Sequence, residues 1–379
     1  MKSIMRVLGI FSIIVLLTNC AGSDNLEKPA PLVEFTPTVN VEKIWSRSVG
    51  GTEDNYLDLQ IASDAQQLYT VSAHGEVTAI ASQTGKQIWR TKLGLPISGG
   101  PAVGNGLVVL GTQRGEIIAL STEDGHTIWQ QNIGTPSLGA VAISTNTLVV
   151  KTIDDQVFAL QPTDGKVLWS YNGNAPTLIL RGGSTPAIVN NKVLVGMASG
   201  KLDFFNLQSG LPIWQYPVAL PQGNFPAQRM VDITIKPQVK NDIVYVASYQ
   251  GDIAAVQLSN AQPIWSHHLS SYTGLALANR YLFITDANSH VWAFQENDGG
   301  VVWRQTQLSA RSITAPAIFD NYIIVGDYEG YVHWMAQDSG KFVARVHAYS
   351  AAIRTAPIVM GNLLFVLDID GHLVAYKVA

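Results

Sequence analysis

The apolar and polar positions of this chain fall into short β-rich runs that recur along the sequence. In one unit the runs are Ala102–Gly104, Leu107–Thr112, Glu116–Ser121 and Thr127–Asn132, and Gly, Asn or Asp-Gly turns separate them. Runs bounded in this way are typical of short antiparallel strands, and no long amphipathic helical pattern competes with them. The unit therefore predicts four strands, as in one blade of a β-propeller.

Two phrases mark the repeat. Gly85-Lys86-Gln87-Ile88-Trp89 recurs with related phrases that end at 129, 169, 214, 265 and 303, and a degenerate copy at Ala344 has lost its Trp. The steps along 89, 129, 169, 214, 265, 303 and 344 are 40, 40, 45, 51, 38 and 41 residues. A second phrase, first seen at Gly75–Ile80, occurs eight times in the same phase. Such periods with strand-like runs predict a propeller or a solenoid.

The two ends of the chain complete each other. After the last copy of the second phrase, which begins at Gly371, the chain ends at Ala379 and has no fourth strand. The segment Ile44–Gly50 matches the fourth-strand phrase Ile88–Gly94. We therefore predict an all-β fold over residues 41–379, an eight-bladed β-propeller of four-stranded antiparallel blades. Its N-terminal strand closes the last blade, because an open ring would leave apolar faces and strand edges exposed.

The repeated tryptophans have a structural interpretation and a functional alternative. We expect each indole to pack between neighbouring blades, with its N–H bonded to a backbone acceptor. The alternative is that the indoles stack on a ligand. The residues concerned are Trp45, Trp89, Trp129, Trp169, Trp214, Trp265 and Trp303.

The N-terminal region predicts a lipid anchor. Lys2 and Arg6 precede an apolar stretch, Val7–Leu17, that is too short to span a bilayer. It leads into Leu17–Cys20, which resembles a bacterial lipoprotein cleavage box and holds the only cysteine of the chain. We predict a signal peptide over 1–19, lipidation at Cys20 and an extended tether over 20–40. The alternative is an ordinary secretory signal with an incidental cysteine.

Composition narrows the functional classes. Charged residues make up only 14% of the chain and the net charge is −4. Without residues 1–19, which carry Lys2 and Arg6 and no acid, the balance becomes 22 − 28 = −6. Nothing indicates the basic face that nucleic-acid binding needs. A single cysteine excludes an intrachain disulfide and any multi-thiolate metal site.

The phrase from Ala79 to Trp89 resembles the PQQ-like repeat of quinoprotein propellers. With the cleavage box, the tether and eight blades, the layout is similar to the BamB family, lipoproteins of the outer-membrane β-barrel assembly (BAM) machinery. The resemblance implies a non-enzymatic scaffold without a cofactor on the periplasmic face of the outer membrane. It also implies binding to the periplasmic POTRA domains of BamA, and through BamA to the other BAM lipoproteins. Its clients would be unfolded outer-membrane proteins, which it would help to fold and insert.

An enzymatic alternative is a small quinone- or sugar-binding PQQ-like propeller. Quinoprotein dehydrogenases commonly carry a vicinal cysteine pair, which a chain with Cys20 alone cannot form. No metal-protease, phosphate-loop or nucleophile-elbow motif is present. Asp154-Asp155 and Asp368–Gly371 come closest to a calcium loop, but they stand at turn positions of the repeat, where turn chemistry explains them. The sequence therefore predicts no catalytic residue and no metal ligand.

The uneven spacing locates a candidate binding site. The intervals of 45 and 51 residues are adjacent, and their excess fits the connections from a fourth strand to the next blade. Pro176–Gly183 in the first offers apolar residues and an arginine, which suits a protein interface. Gln228–Asp232 in the second offers two charges to a partner. The alternative is that the first group merely begins the next inner strand.

The family resemblance assigns roles to these residues. Leu178, Leu180 and Arg181 match the Leu-x-Leu-Arg loop that contacts BamA in BamB proteins. Asp232 matches the first Asp of a nearby Asp-x-Asp segment, whereas Thr234 replaces the second. The predicted partner-binding residues are Leu178, Leu180, Arg181, Arg229 and Asp232.

Overall fold

A computed structural model describes residues 27–52, 57, 59–180 and 182–379. All the regular secondary structure in these ranges is β-strand, and the strands form eight four-stranded antiparallel sheets. This confirms the predicted eight-bladed propeller. Within the same ranges, no helix has the length and apolar character needed to cross a membrane.

The blades are numbered along the chain. Blade 1 contains β2 (Ala62–Ser63), β3 (Gln67–Val71), β4 (Glu76–Ala81) and β5 (Gln87–Lys92), and blade 2 contains β6 (Ile97–Gly104), β7 (Leu107–Thr112), β8 (Glu116–Ser121) and β9 (Thr127–Asn132). Blade 3 contains β10 (Ala142–Ile143), β11 (Leu148–Lys151), β12 (Gln156–Leu160) and β13 (Val167–Asn172), and blade 4 contains β14 (Ala187–Val189), β15 (Lys192–Gly196), β16 (Lys201–Asn206) and β17 (Pro212–Pro217). Blade 5 contains β18 (Gln238–Lys240), β19 (Ile243–Ala247), β20 (Asp252–Gln257) and β21 (Pro263–His268), and blade 6 contains β22 (Leu275–Ala278), β23 (Tyr281–Thr285), β24 (Val291–Gln295) and β25 (Val301–Gln305). Blade 7 contains β26 (Ala317–Phe319), β27 (Tyr322–Gly326), β28 (Tyr331–Ala336) and β29 (Phe342–His347), and blade 8 contains β30 (Ile358–Met360), β31 (Leu363–Leu367), β32 (His372–Val378) and β1 (Val41–Ser48).

The ring closes through strands from both ends of the chain. β1 pairs antiparallel with β32, and the register places Val41 opposite Val378 and Trp45 opposite Ala375. This confirms that the N-terminal strand completes blade 8. In blade 2 the predicted bounds of the last three strands agree with β7, β8 and β9, whereas β6 begins earlier, at Ile97. The pairing of β6 with β7 shifts register twice between Ile97 and Ala102. These shifts interrupt the alternation of side chains by which a strand is recognised in a sequence.

The core lies between the faces of neighbouring blades. The two middle strands of each blade are almost wholly buried, as Val108–Leu110 in β7 and Ile117–Leu120 in β8 show. Because both faces of these strands are covered, they read as continuous apolar runs and not as alternating ones. The outer strands bury one face only, and every second residue of β9 faces solvent.

The seven tryptophans join the blades at the outer rim. Each indole N–H donates to a backbone oxygen in the following blade at 2.7–3.0 Å. The ring lies against the turn between the third and fourth strands of that blade. At Gly125, which has φ +75°, a Cβ would lie 2.5 Å from the ring of Trp89. The glycine of the repeat therefore leaves room for the tryptophan of the preceding blade. The acceptors, in order, are Ser82, Thr122, Pro162, Leu207, Leu258, Glu296 and Gln337.

The predicted tether needs a correction. Cys20 and the rest of residues 1–26 lie outside the described residues. The following segment does not run free up to residue 40, because Ala30 and Thr38 donate backbone hydrogen bonds to Ser309 and Val343 of the propeller. A polar, proline-containing stretch resembles a linker in sequence, but here its backbone and ring groups find partners on blades 6 and 7.

Candidate partner-binding site

The two enlarged connections lie side by side on one face of the ring. Residues 173–186 connect β13 to β14, and residues 218–237 connect β17 to β18. The fourth-to-first connections and the hairpins between second and third strands share this face, here called the connection face. The Leu180 N–H donates to Asp232 Oδ2 at 3.3 Å, and a Cβ on Gly182 would lie 2.7 Å from Thr234. The two connections thus form one continuous surface, here called the loop surface.

The structure separates the residues of the first connection. The side chain of Leu178 is 42% exposed, whereas Leu180 is half-buried and its N–H is used by Asp232. Ile179 is also half-buried and borders a small cavity with Lys151. Arg181 lies outside the described residues. Leu178 is therefore the apolar group that this connection offers to solvent. The segment does not begin the next inner strand, because β14 begins only at Ala187.

The second connection corrects one prediction. Arg229 is exposed, as predicted, but Asp232 is 1% exposed and its charge is not available to a partner. The Asp232 carbonyl accepts the Tyr249 N–H at 2.8 Å, which draws the residue into a bridge with blade 5. Its carboxylate lies beneath the first connection and accepts the Leu180 N–H. Asp232 therefore positions the loop surface from below.

Burial governs the ionisation of Asp232. Desolvation raises the pKa of this carboxyl to about 6; the cation of Lys151 opposes the rise and the carboxylate of Asp155 adds to it. Asp232 Oδ1 is buried without a hydrogen-bond partner. Desolvation makes the ionised form of this carboxylate unfavourable. Near neutral pH, Asp232 is therefore ionised beneath the loop surface at a cost in folding free energy.

Asp155 does more than form a turn. It has φ +62°, and its N–H donates to the Thr152 carbonyl, as expected of the turn position. Its buried carboxylate also pairs with Lys151 Nζ at 2.8 Å and accepts the Ala198 N–H of blade 4 at 3.0 Å. The Asp155 carbonyl accepts the N–H of Gly173, where the first long connection begins. This buried ion pair ties blades 3 and 4 together under the loop surface.

The other acidic turn candidates behave as predicted. Asp154 accepts hydrogen bonds from Thr152 and Gln156 within its own hairpin. Asp368 Oδ1 accepts the His372 N–H at 2.8 Å across the hairpin between β31 and β32. Both carboxylates are engaged in local turn geometry.

Sequence reasoning missed two exposed apolar residues of the second connection. Leu220 is 64% exposed and Phe225 is 66% exposed, more than Leu178. The backbone turns tightly here, since Phe225 O accepts the N–H groups of Gln228 and Arg229. The available signal was the insertion itself, because apolar residues inside an enlarged surface loop are candidates for binding.

A cavity of about 460 Å³ lies where the connections from several blades converge. Its wall includes Lys236, Tyr272, Tyr328 and Arg354, and Thr234 joins it to the loop surface. Across the part of the chain that the structure describes, no group of three or more His, Cys, Asp or Glu side chains is arranged to hold a metal ion.

Comparisons with known proteins agree with this architecture. The family model described as "Outer membrane protein assembly factor BamB" matches residues 73–305 and 287–379. The outer membrane protein assembly factor BamB of Legionella pneumophila (strain Paris) is 47% identical over 297 residues, which cover 78% of this chain and 77% of the relative. Its counterpart from Pseudomonas aeruginosa is 50% identical over 302 residues, covering 79% and 80%.

Solved structures show the same fold. The crystal structure of BamB from Moraxella catarrhalis superposes with a TM-score of 0.82 at 26% identity, covering 89% of this chain and all of that chain. The quinohemoprotein alcohol dehydrogenase from Comamonas testosteroni has a TM-score of 0.70 at 11% identity, covering 89% of this chain and 76% of the dehydrogenase. The latter likeness shows only the fold. The chain matches the family model over most of its length and reaches 50% identity to its relatives, and it belongs to the BamB family of outer membrane protein assembly factors.

Proposed function

We propose that this chain is a non-enzymatic scaffold of the BAM machinery. Lipidation at Cys20 would anchor it to the outer membrane at the periplasmic face, and the loop surface would bind the POTRA domains of BamA. Through BamA it would join the other BAM lipoproteins and aid the folding and insertion of unfolded outer-membrane proteins. Family membership supports the assembly role. The observation that carries the binding site is the pair of adjacent long connections, with exposed apolar groups, on one face of the ring.

The chemistry of the loop surface suits a protein partner. Leu178, Leu220 and Phe225 expose aliphatic and aromatic groups that gain free energy when a partner removes them from water. Arg229 is exposed in the same connection as Leu220 and Phe225, and a guanidinium can donate two parallel hydrogen bonds to a partner's carboxylate. Apolar anchors combined with an arginine are typical of the few residues that dominate an interface.

A matched pair of substitutions tests the site. Leu220→Ala combined with Leu178→Ala removes apolar anchors from the loop surface. Leu211→Ala is the control, since Leu211 is 65% exposed in the same blade but lies in the hairpin between β16 and β17, on the opposite face. We expect the double variant to bind purified BamA POTRA domains at least tenfold more weakly by calorimetry, which corresponds to about 1.4 kcal/mol or more. The control should bind like the wild type.

Two outcomes would count against the proposal. Equal weakening by the double variant and by Leu211→Ala would show that the effect is not specific to the connection face. Co-purification of BamA with Arg181→Glu at the wild-type yield would remove Arg181 from the interface, since a reversed charge at an anchor should disrupt pairing with a carboxylate.

A further inference from the structure

Residues 30–39, here called the strap, lie across blade 7 before β1 begins. At one end the Ala30 N–H donates to the Ser309 carbonyl at 2.9 Å. At the other end the Thr38 and Val39 N–H groups donate to the Val343 carbonyl in β29, at 2.9 and 3.2 Å. These bonds fix the backbone at two points, from the connection after blade 6 to the outer strand of blade 7.

Side chains hold the strap between these points. Arg311 Nη1 donates to the Ala30 carbonyl at 3.1 Å, and Arg345 Nη1 donates to the Val33 carbonyl at 3.0 Å. The ring of Phe35 stacks on Phe342, with centroids 5.5 Å apart, and the Arg345 guanidinium lies 5.0 Å from the centre of the Phe35 ring. Stacking and cation–π contacts add to the hydrogen bonds.

The two arginines are themselves fixed by the propeller. Arg311 is buried and pairs with Asp327 at 2.7 Å and also with Glu329. Arg345 Nε donates to Nδ1 of the buried His333 at 3.2 Å. Donors that are already held in place lose little conformational freedom when they bind the strap. The strap is therefore built onto a rigid platform and does not rest on a flexible surface.

The strap determines where the N-terminal leader leaves the ring. Ser309 and Arg311 belong to the connection between β25 and β26, so Ala30 lies on the connection face at the edge between blades 6 and 7. Cys20 is ten residues upstream of Ala30, a stretch that can reach at most about 35 Å. A free segment up to β1 would reach roughly twice as far. The loop surface of blades 3 to 5 lies on the same face.

We propose that the strap holds the blade 6–7 edge of the connection face against the lipid surface. This inference rests on the proposed lipid anchor at Cys20. The propeller would then meet the membrane in one orientation, with the loop surface on the membrane-facing side, where a membrane-embedded partner presents its domains. The strap thus fixes the point at which the anchor segment leaves the ring, and through that point the orientation of the propeller relative to the membrane.

Three single-cysteine variants of the lipidated full chain test the orientation. Gln307→Cys places the label beside Ala30, where the strap begins. Arg114→Cys places it on the same face but across the ring, in the β7–β8 hairpin. Asp164→Cys places it on the opposite face, in the β12–β13 hairpin. Each thiol carries an environment-sensitive fluorophore, and vesicles contain headgroup spin-labelled phosphatidylethanolamine. The acylated Cys20 does not compete for the label. We expect quenching at position 307 to exceed that at 114 and 164 several-fold.

A strap variant provides the control. Replacing residues 30–39 with a Gly/Ser segment of equal length keeps the anchor, removes the Phe35 ring contacts and raises the entropic cost of docking the backbone, so the difference in quenching among the three positions should shrink. Equal quenching in the chain with the native strap, on vesicles that carry the protein after flotation, would overturn the proposal. Failure of the protein to float with the vesicles would instead refute the lipid anchor. Because the comparison within the native strap decides the question, it holds even if the Gly/Ser variant folds poorly.

Discussion

The outer rim and the connection face of this propeller follow different rules. At the rim, the same arrangement of an indole, a turn glycine and a carbonyl recurs around the ring, as at Trp89 with Gly125 and at Trp129 with Gly165. On the connection face no two connections are alike, and those at 173–186 and 218–237 exceed the length of their equivalents. The rim maintains the ring, whereas the connection face supplies the differences on which recognition depends.

Packing constraint explains the contrast. An indole between two blades has one shape to fill, so seven of the eight blade junctions use the same tryptophan, and six of these pair it with a turn glycine. A surface connection only has to satisfy its backbone and leave the strands in place, so its length and chemistry can vary. Substitutions at the rim should therefore act on stability and those on the connection face on recognition, unless the two regions share a buried group.

The largest expected effect is at the rim. Gly125→Ala places a Cβ at 2.5 Å from the Trp89 ring in a backbone with φ +75°. We expect a loss of about 2–5 kcal/mol, the sum of the left-handed backbone cost and overpacking. Gly94→Ala is the control, since Gly94 has φ +65° but no described atom lies within 4 Å of its Cβ position. It should lose only about 1–2 kcal/mol. Thermal and urea unfolding midpoints measure both, and equal losses would show that the indole contact contributes nothing.

The same contrast decides what the sequence could predict. The bounds of β7, β8 and β9 follow from local runs and turn residues, and the closing role of β1 follows from one matched phrase around Trp45. These features are repeated, so each copy supports the interpretation of the others. The residues around Ile97 do not show the repeat pattern, because β6 contains irregular pairing that no local alternation indicates.

The site was only partly predictable because its contacts are distant in sequence. Spacing alone located both insertions. The burial of Asp232, however, depends on Leu180, which is 52 residues away, and the docking of the strap depends on Arg311 and Arg345, which are 281 and 312 residues from their strap partners. A charged residue in a loop is usually exposed, so local pattern alone favours the wrong state for Asp232.

Asp232 lies on the connection face but is buried like a core residue, and its titration sharpens the comparison. Its pKa is raised to about 6 in the fold from an ordinary value of 3.8. Between these values the folded chain binds more protons than the unfolded chain, so stability falls as pH rises from about 4 to about 6 and then levels off. Asp232→Asn keeps an acceptor for the Leu180 N–H and removes this contribution. The free energy of unfolding of Asp232→Asn minus that of the wild type should therefore be about 1–3 kcal/mol larger at pH 7 than at pH 4.

Asp154 is a matched control of opposite sign for this titration. Burial raises the pKa of its carboxyl, but hydrogen bonds from Thr152 and Gln156 outweigh burial and lower the pKa below its ordinary value. Its stabilising contribution is present above the unfolded pKa and is lost as pH falls through the folded pKa. Asp154→Asn should therefore lose stability at pH 7. Urea unfolding of both variants at pH 4 and pH 7 measures the difference. A pH slope for Asp232→Asn equal to that of the wild type would contradict the buried, uncompensated charge.

The smallest expected effect lies where the rim departs from its own rule. In blade 5, Ala261 occupies the position of the turn glycine with φ +60°, and Trp214 donates to Leu258 O at 2.9 Å as in the other blades. Ala261→Gly should relieve the left-handed backbone and raise the unfolding midpoint. The gain in the free energy of unfolding should be up to about 1 kcal/mol after the entropy of glycine in the unfolded chain is counted. Ala278 in β22 is not under this strain, so Ala278→Gly should lower the free energy of unfolding by a similar amount. If both variants lose stability alike, alanine at this turn is not strained. The packing of the indole against the turn would then be less restrictive in blade 5, beside the loop surface, than in the other blades.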